Sequence, residues 1–289
     1  MTTGLNTYDH ISSIAQSMQE NAELIARTTP LMRQLVSVFT DMGGGNQRKM
    51  YQYSSNSAQT IGEADDLTST VFEPALLATL TPGEIGLQYF VTDQRAASDL
   101  PENIIVDGSR DLGAAAADKI EGDLLADMQS FTAGTIGASG TTLTWGHLLA
   151  GIAQCRNAIK SQVIPLVAVL HEYQWFDIAK AASIAGATSM AQAPQFTYDI
   201  TMNYYRGRVA NTLIFVTANS GMVSGTDAYG GVFPANALAL DMRRDIRIEP
   251  ERDASRRGTE YNMSALYAHG VWHAEYGVQI LSDITAPTS

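Results

Sequence analysis

LYAHGVWHAEYGVQI is the sequence of residues 266–280, the stretch that decides the fold. Small or apolar residues occupy every even-numbered position, and mostly polar or aromatic residues occupy the odd ones. Alternation of this length predicts a β-strand of about eighteen residues, far longer than the usual five or six. Residues 245–253 are predicted to pair with this strand, and the charged stretch 254–260 is predicted to form the turn between them.

A long helix is predicted upstream of these strands, over residues 99–131. Residues 99–102, DLPE, resemble a capping box with proline in the first turn. Apolar residues then recur every four positions, which gives one apolar face on a helix about 45 Å long. That face consists of Leu112, Ala116, Ile120, Leu124 and Met128. The acidic residues Asp107, Asp111, Asp118 and Glu121 are predicted to lie on other faces.

Helices and strands alternate in the centre of the sequence. Residues 145–161 form an amphipathic pattern with Thr144 as the N-cap, and residues 172–186 predict a second helix. Residues 166–170 and the apolar run 213–216 have the composition of buried strands. The alternation predicts a compact α/β unit in which helices cover a small sheet. The Gly/Ser/Thr-rich stretch 132–142 is predicted to be a loop.

The N-terminal third has a looser organisation. Residues 5–42 are predicted to be helical with an interruption at Pro30, and the second short helix continues through Phe39. The triplet 43–45, GGG, predicts a hinge or turn. Polar residues 49–61 are predicted to form a strand that pairs with residues 86–93. Such a two-stranded excursion is marginal alone in water, so it needs a neighbouring surface.

The charge distribution limits the possible partners. The formal net charge is −12, which argues against tight binding to nucleic acid backbones. Residues 51–130 hold 14 acidic and 3 basic residues, a net charge of −11. No apolar run approaches the roughly 20 residues that a membrane span requires. The first residues lack the pattern of a secretory signal, so we expect synthesis in the cytoplasm.

Side chains that could carry chemistry are few. Cys155, the single cysteine, lies in an apolar helical pattern and is interpreted as a buried structural thiol. His269 and His273 would stand about 13 Å apart along a strand, too far to share a metal ion. No nucleophile elbow, phosphate-binding glycine loop or Cys-x2-Cys pair occurs. We therefore expect no catalytic residues, no cofactor and no metal site.

The order of the predicted elements resembles the HK97-type coat protein fold of tailed phages. Four stretches are similar to members of that group: residues 84–93 (EIGLQYFVTD), 169–174 (VLHEYQ), 248–255 (IEPERDAS) and 266–271 (LYAHGV). The resemblance implies an α+β fold and assigns its parts. It places an N-terminal arm at 1–45, an extended E-loop at 46–98, a P-domain at 99–133 and 241–289, and an A-domain at 134–240.

The function implied by this resemblance is structural. The chain would assemble into the pentamers and hexamers of an icosahedral phage head that encloses double-stranded DNA, and its location would be the virion. Implied partners are other copies of the chain, a scaffolding protein, a portal, possible decoration proteins and non-specifically contacted DNA, but no membrane. Two alternatives stay open: an encapsulin-like nanocompartment shell, and an uncharacterised α+β hydrolase.

Opposite charges suggest how copies of the chain would meet. In the family that it resembles, the E-loop of one subunit lies over the P-domain of a neighbour. We therefore hypothesise contacts between subunits that set register more than affinity. The acidic candidates are Glu63, Asp65, Asp66 and Glu73, and the basic candidates are Arg243, Arg244, Arg247, Arg252, Arg256 and Arg257. The alternative is that these charges are solvated and paired locally, for example Arg252 with Asp253.

Overall fold

The computed structural model describes residues 31–40, 45–53, 56–63, 66–67, 69–98, 104–185 and 205–287. The helices predicted before residue 31, the glycines at 43 and 44, the capping residues 99–102 and Asp65 lie outside these ranges. The helices are α1 Met32–Leu35, α2 Asp93–Ser98, α3 Ile104–Asp127, α4 Trp145–Ala158 and α5 Glu172–Ala185. Within this part of the chain, no helix is both long and apolar enough to cross a membrane.

A four-stranded sheet carries the long C-terminal strands. Its order is β1–β11–β12–β4, with β1 parallel to β11 and the other pairs antiparallel. The strands are β1 Ser37–Phe39, β4 Gly83–Thr92, β11 Leu238–Asp253 and β12 Gly258–Val271. The predicted pairing of residues 245–253 with the C-terminal strand is confirmed, and the turn between them occupies residues 254–257.

A seven-stranded sheet forms the second layer, in the order β5–β13–β10–β6–β8–β7 with β9 paired to β10. Its strands are β5 Gly134–Gly137, β6 Leu166–His171, β7 Tyr205–Val209, β8 Thr212–Thr217, β9 Val223–Ser224, β10 Asp227–Pro234 and β13 Val278–Asp283. Helix α4 begins where predicted, because the Thr144 hydroxyl accepts a hydrogen bond from the His147 amide. Thus the predicted α/β centre is confirmed, although the expected loop 132–142 also contains the short strand β5.

The long helix α3 connects the two large sheets. Toward its N-terminal half, Leu112 and Ala116 pack against Met263 of the four-stranded sheet. Toward its C-terminal end, Leu124 shares a core with Phe233 of the seven-stranded sheet. All five residues of the predicted apolar face are at most 3% exposed, so this prediction is confirmed. The helix is about 36 Å long at 1.5 Å per residue and therefore reaches both cores.

The predicted pairing of the polar hairpin is wrong. Strand β2, Arg48–Tyr53, pairs with β3, Pro74–Leu80, and not with residues 86–93. Those residues belong to β4, which instead pairs with β12 over ten positions. The reason is burial: the alternating apolar side chains of β4, from Ile85 to Val91, pack in the core beneath α3. A strand with one apolar face is stable only where that face is covered.

The predicted eighteen-residue strand is also wrong, because it is two strands. β12 ends at Val271, a 3-10 turn follows at Ala274–Tyr276, and β13 begins at Val278 in the other sheet. At Gly277, an added Cβ would lie 2.2 Å from a Phe131 ring carbon, so no larger residue fits there. Consequently residues 241–289 are shared between the two sheets.

The predicted helix through Phe39 ends earlier than expected. Helix α1 stops at Leu35, and residues 37–39 form β1 beside Ala239–Asp241 of β11. Here a strand partner overrides a weak helical pattern, since the backbone groups of β1 pair with an otherwise open edge of β11.

Candidate assembly surfaces

The hairpin of β2 and β3 is anchored to the four-stranded sheet only at its base. Met50 and Leu80, which are 5% and 4% exposed, pack against Ala239 and Ala268. At Gly270, an added Cβ would lie 2.8 Å from a methyl carbon of Leu80, so the hairpin base approaches the sheet closely. The base is therefore part of the core of the fold, and the rest of the hairpin extends from it.

A buried cluster of charges also fixes the hairpin base. The Asp241 side chain is completely buried, and the Arg48 guanidinium lies 3.1 Å from its carboxylate. Arg243 donates a hydrogen bond of 2.8 Å from Nε to the other carboxylate oxygen. Arg48 also stacks over the Phe39 ring, 4.7 Å from its centroid. Two cations thus share one buried anion at the point where β2 meets β11.

Beyond its base, the hairpin exposes a large apolar surface. Tyr53 and Phe72 stack on each other with ring centroids 4.8 Å apart, yet they are 58% and 64% exposed. Eight of the thirteen large exposed hydrophobic residues of the described chain lie between residues 51 and 77. They are Tyr51, Tyr53, Ile61, Leu67, Val71, Phe72, Leu76 and Leu77, and we call them the apolar hairpin surface. A concentration of exposed large hydrophobic side chains in one segment is typical of an interface with another protein.

The acidic residues predicted for an interface lie on this same hairpin. Glu63, Asp66 and Glu73 are all exposed, and Asp65 lies outside the described residues. The apolar hairpin surface itself was missed in the sequence analysis. Its signal was present as isolated apolar residues such as Leu67 and Phe72 in an otherwise polar stretch, where no core could bury them.

The six predicted arginines form a row along β11 and the following turn, and five of them have a partner within the chain. Arg243 pairs with Asp241, Arg244 with Glu84, Arg247 with Glu249, Arg252 with Asp93, and Arg256 with Glu260. No ion pair within the described residues involves Arg257, an exposed turn residue with a φ of 52°.

Arg252 forms the most regular of these pairs. Its two guanidinium nitrogens donate to the two oxygens of Asp93 at 2.6 and 2.7 Å, not to Asp253 as the local alternative had suggested. The hydrogen bond from Arg252 holds the pKa of Asp93 below its usual value. Both side chains are about half exposed, so the pair orients β11 against the end of β4 more than it stabilises the fold.

The side chain of Glu121 departs from the prediction that it faces away from the core. It is only 6% exposed, and its carboxylate accepts a 2.8 Å hydrogen bond from the backbone N–H of Met32. Burial raises the pKa of Glu121 to about 7, and the nearby charge of Asp118 acts in the same direction. The four-residue spacing correctly predicted the apolar face of α3. An apolar segment that includes α1 also covers the side of the helix that carries Glu121.

A second polar group joins α3 to β12. Tyr267 donates a 2.6 Å hydrogen bond to Asp123, which also accepts one from Lys119. His269 Nδ1 lies 2.8 Å from an Asp127 oxygen, and this hydrogen bond raises the pKa of His269. No group of three or more candidate metal ligands occurs among the described residues. The hydrogen bonds of Tyr267 and His269 join α3 to β12.

Cys155 is buried in the α4 face that packs on the seven-stranded sheet. Its thiol donates to the Tyr276 carbonyl oxygen at 3.1 Å, and burial raises its pKa to about 12. A thiol with such a pKa is a poor nucleophile at neutral pH. This agrees with the structural interpretation of Cys155.

Comparisons with known proteins identify the fold. No protein-family model and no curated protein matches the sequence. The chain is similar to the capsid of Helicobacter pylori bacteriophage KHP30, with a TM-score of 0.68 and 13% identity over 86% of this chain and 88% of that one. It is similar to the capsid of cyanophage Pam1 with the same TM-score and 8% identity, over 88% and 89% of the chains.

A virus-like particle from Pyrococcus furiosus also matches, with a TM-score of 0.56 and 9% identity over 92% of this chain and 98% of that chain. At these identities the similarity lies in the arrangement of helices and strands, and it covers 86–92% of this chain. The protein therefore has the α+β fold of phage capsid proteins, the HK97-type fold that the sequence resemblance predicted.

Proposed function

We propose that the chain is the shell-building subunit of a tailed-phage head, assembling into pentamers and hexamers around double-stranded DNA. The observation that carries the proposal is the apolar hairpin surface. Eight large hydrophobic side chains stand exposed on a two-stranded excursion that is anchored only at its base. Such an excursion is marginal alone in water, and a neighbouring copy would supply the surface that it lacks.

The parts of the fold receive their roles in this proposal. Residues 1–45 act as the arm, residues 46–98 as the E-loop, except that β4 belongs to the four-stranded sheet, and residues 134–240 as the A-domain around the capsomer centre. Residues 99–133 and 241–289 form the P-domain, except that β13 adds a strand to the seven-stranded sheet. A scaffolding protein, a portal and decoration proteins are the expected partners, and packaged DNA would touch the shell without sequence preference.

The direct test is to express the full chain and examine it by size-exclusion chromatography and negative-stain electron microscopy. Closed shells, or rings of five and six subunits, are expected. The double variant Leu67→Ser, Val71→Ser removes two side chains that are about 70% exposed, so it should fold normally but assemble poorly. Leu149→Ser, at 47% exposure on helix α4, is the matched control. Unchanged shells from the double variant would contradict a role for the hairpin in assembly.

The charge hypothesis makes a separate prediction. Changing Arg256 and Arg257 to Glu should block assembly by placing like charges opposite the acidic hairpin of a neighbour. Arg256 also pairs with Glu260 and lies over the Phe90 ring, so thermal unfolding must show that the variant is folded. Reversing Glu63, Asp66 and Glu73 to Arg in the same chain should restore assembly. Normal shells from the arginine variant alone would instead favour purely local pairing.

A nanocompartment shell is the second candidate, and the similarity to the virus-like particle from Pyrococcus furiosus favours it. The contents of purified particles distinguish the two. A phage head would contain DNA after infection, and its gene would lie beside genes for a terminase and a portal. A nanocompartment would enclose a protein cargo. The hydrolase alternative gains no support from the capsid and virus-like particle structures that share the fold.

A further inference from the structure

A cavity of about 250 Å³ opens at one end of the seven-stranded sheet, away from the hairpin. It lies between the loop that precedes β6 and the turn that joins β7 to β8. Its polar lining includes Arg156, Arg208, Gln162 and Asn211, and its apolar lining includes Val163 and Leu213. Two arginines are therefore among the residues that line one concave site.

These two arginines lack the partners that others in the chain possess. Among the described residues, no carboxylate lies within ion-pairing distance of Arg156 or Arg208, whereas seven other arginines form ion pairs. The chain has 30 acidic and only 18 basic residues, so partners are abundant. Two uncompensated guanidinium groups in one cavity create a local positive potential in a protein of net charge −12.

The backbone around the cavity is held in an unusual conformation. Lys160 and Ser161 have φ values of 52° and 54°, and Ala210 and Asn211 have values of 47° and 61°. These are four of the five non-glycine residues with positive φ in the described chain. Ala210 and Asn211 form the two-residue turn between β7 and β8, and such turns require positive φ at both positions. The backbone at this edge of the cavity is therefore fixed by the hairpin.

Arg156 joins the two turns. Its guanidinium donates a hydrogen bond to the Ala210 carbonyl, and its own carbonyl accepts one from the Ser161 amide at 2.8 Å. The guanidinium is consequently positioned before any ligand arrives. Arg208 projects from β7, whose register against β8 is fixed by the pairs Arg208–Leu213 and Val209–Thr212.

We propose that this cavity is a binding site for an oxyanion group, held by Arg156 and Arg208. The planar fork of a guanidinium matches the two oxygens of a carboxylate or phosphate, and two such forks select an anion over a neutral ligand. The amide groups of Gln162 and Asn211 add hydrogen-bond donors. The anion has two possible sources: a free phosphate-type ion, or an acidic side chain from a second copy of the chain.

Calorimetric titration of the full-length chain with inorganic phosphate tests the site. Sodium chloride keeps the ionic strength constant, which separates binding from general screening. Wild type should bind phosphate saturably. Arg208→Gln should bind it at least about tenfold more weakly, because one charged guanidinium group is lost. Arg257→Gln is the matched control, since Arg257 is another arginine without an ion pair in the described chain but lies outside the cavity. It should bind phosphate as wild type does.

Arg208→Gln should melt at the same temperature as wild type in chloride, because no hydrogen bond holds its side chain within the described structure. Lack of phosphate binding by wild type, or equal binding by all three proteins, would overturn the proposal. Light scattering during assembly then separates the two sources of the anion. If phosphate slows assembly and Arg208→Gln assembles poorly, a neighbour supplies the carboxylate. If assembly is unaffected, the site takes a free anion. The calorimetric titration tests whether the site binds an anion, whether or not shells form.

Discussion

Asp241→Asn is expected to lower the free energy of unfolding of the subunit by about 3 kcal/mol, because it removes a buried anion that pairs with both Arg48 and Arg243. The carboxylate is completely buried, and the two arginine side chains are only 17% and 11% exposed. Asparagine preserves the volume of the side chain, so the change tests charge and not packing. The substitution therefore takes one buried negative charge away from two guanidinium groups in a poorly solvated site.

Urea unfolding of soluble subunit at a fixed protein concentration measures this effect. Glu249→Gln is the matched control, since it removes the partner of Arg247 where both side chains are 55% exposed. That change should cost at most about 1 kcal/mol. Equal effects of the two substitutions would show that the cluster is effectively solvated. The Asp241 variant should also be cleaved faster by protease within residues 56–70, because the cluster fixes the base of the hairpin.

Local patterns in the sequence predicted the interior of this fold well. The four-residue spacing of α3, the Thr144 cap of α4 and the buried strand β6 each depend on neighbours within a few positions. The pairing of β11 with β12 was also predictable, because a short charged turn joins two alternating segments. In each case the physical cause of the structure lies within the same stretch of sequence.

Non-local contacts explain what the sequence did not predict. Alternation in residues 266–280 continues through Gly277, but the Phe131 ring, far away in the chain, fixes the position at which the strand breaks. Strand β4 has two possible partners by composition, and only the position of α3 decides between them. Likewise Glu121 reads as an exposed helix residue until the α1 segment covers it.

The pairing of the arginine row depends on similar distant neighbours. Arg252 binds Asp93, which is 159 residues away in sequence, and Arg244 pairs with Glu84 across the same sheet. The charge distribution along the sequence identifies these residues as candidates for ion pairs. It does not distinguish a partner in the same chain from a partner on another subunit. The apolar hairpin surface is a clearer indication of a contact with another copy of the chain, because its side chains remain exposed in the single chain.

Glu121→Gln is expected to stabilise the subunit by about 3 kcal/mol at pH 8, and by less than about 1 kcal/mol at pH 5. The pKa of Glu121 is about 7 in the folded chain and 4.5 when the side chain is unperturbed. Between these values the folded state binds more protons than the unfolded state, so stability falls as the pH rises. Above pH 7 the fold must hold a buried, ionised carboxylate, whereas glutamine avoids this cost.

The difference between variant and wild type isolates this effect from other titrating groups. His269 also has a raised pKa, and the stability from its hydrogen bond to Asp127 is likewise lost as the pH rises through that pKa. This contribution is common to both proteins and cancels in the difference. Glutamine can still accept the Met32 N–H through its carbonyl oxygen, so the junction with α1 remains intact.

Urea unfolding of both proteins from pH 5 to pH 8 tests the prediction, and Asp118→Asn offers a graded comparison. The Asp118 charge raises the pKa of Glu121 less than burial does, so removing it should flatten the pH profile only in part. A constant difference between Glu121→Gln and wild type across this range would mean that the carboxyl does not titrate there. A difference that grows with pH would show that the buried Glu121 carboxyl becomes ionised in this range, where it joins the long helix α3 to α1.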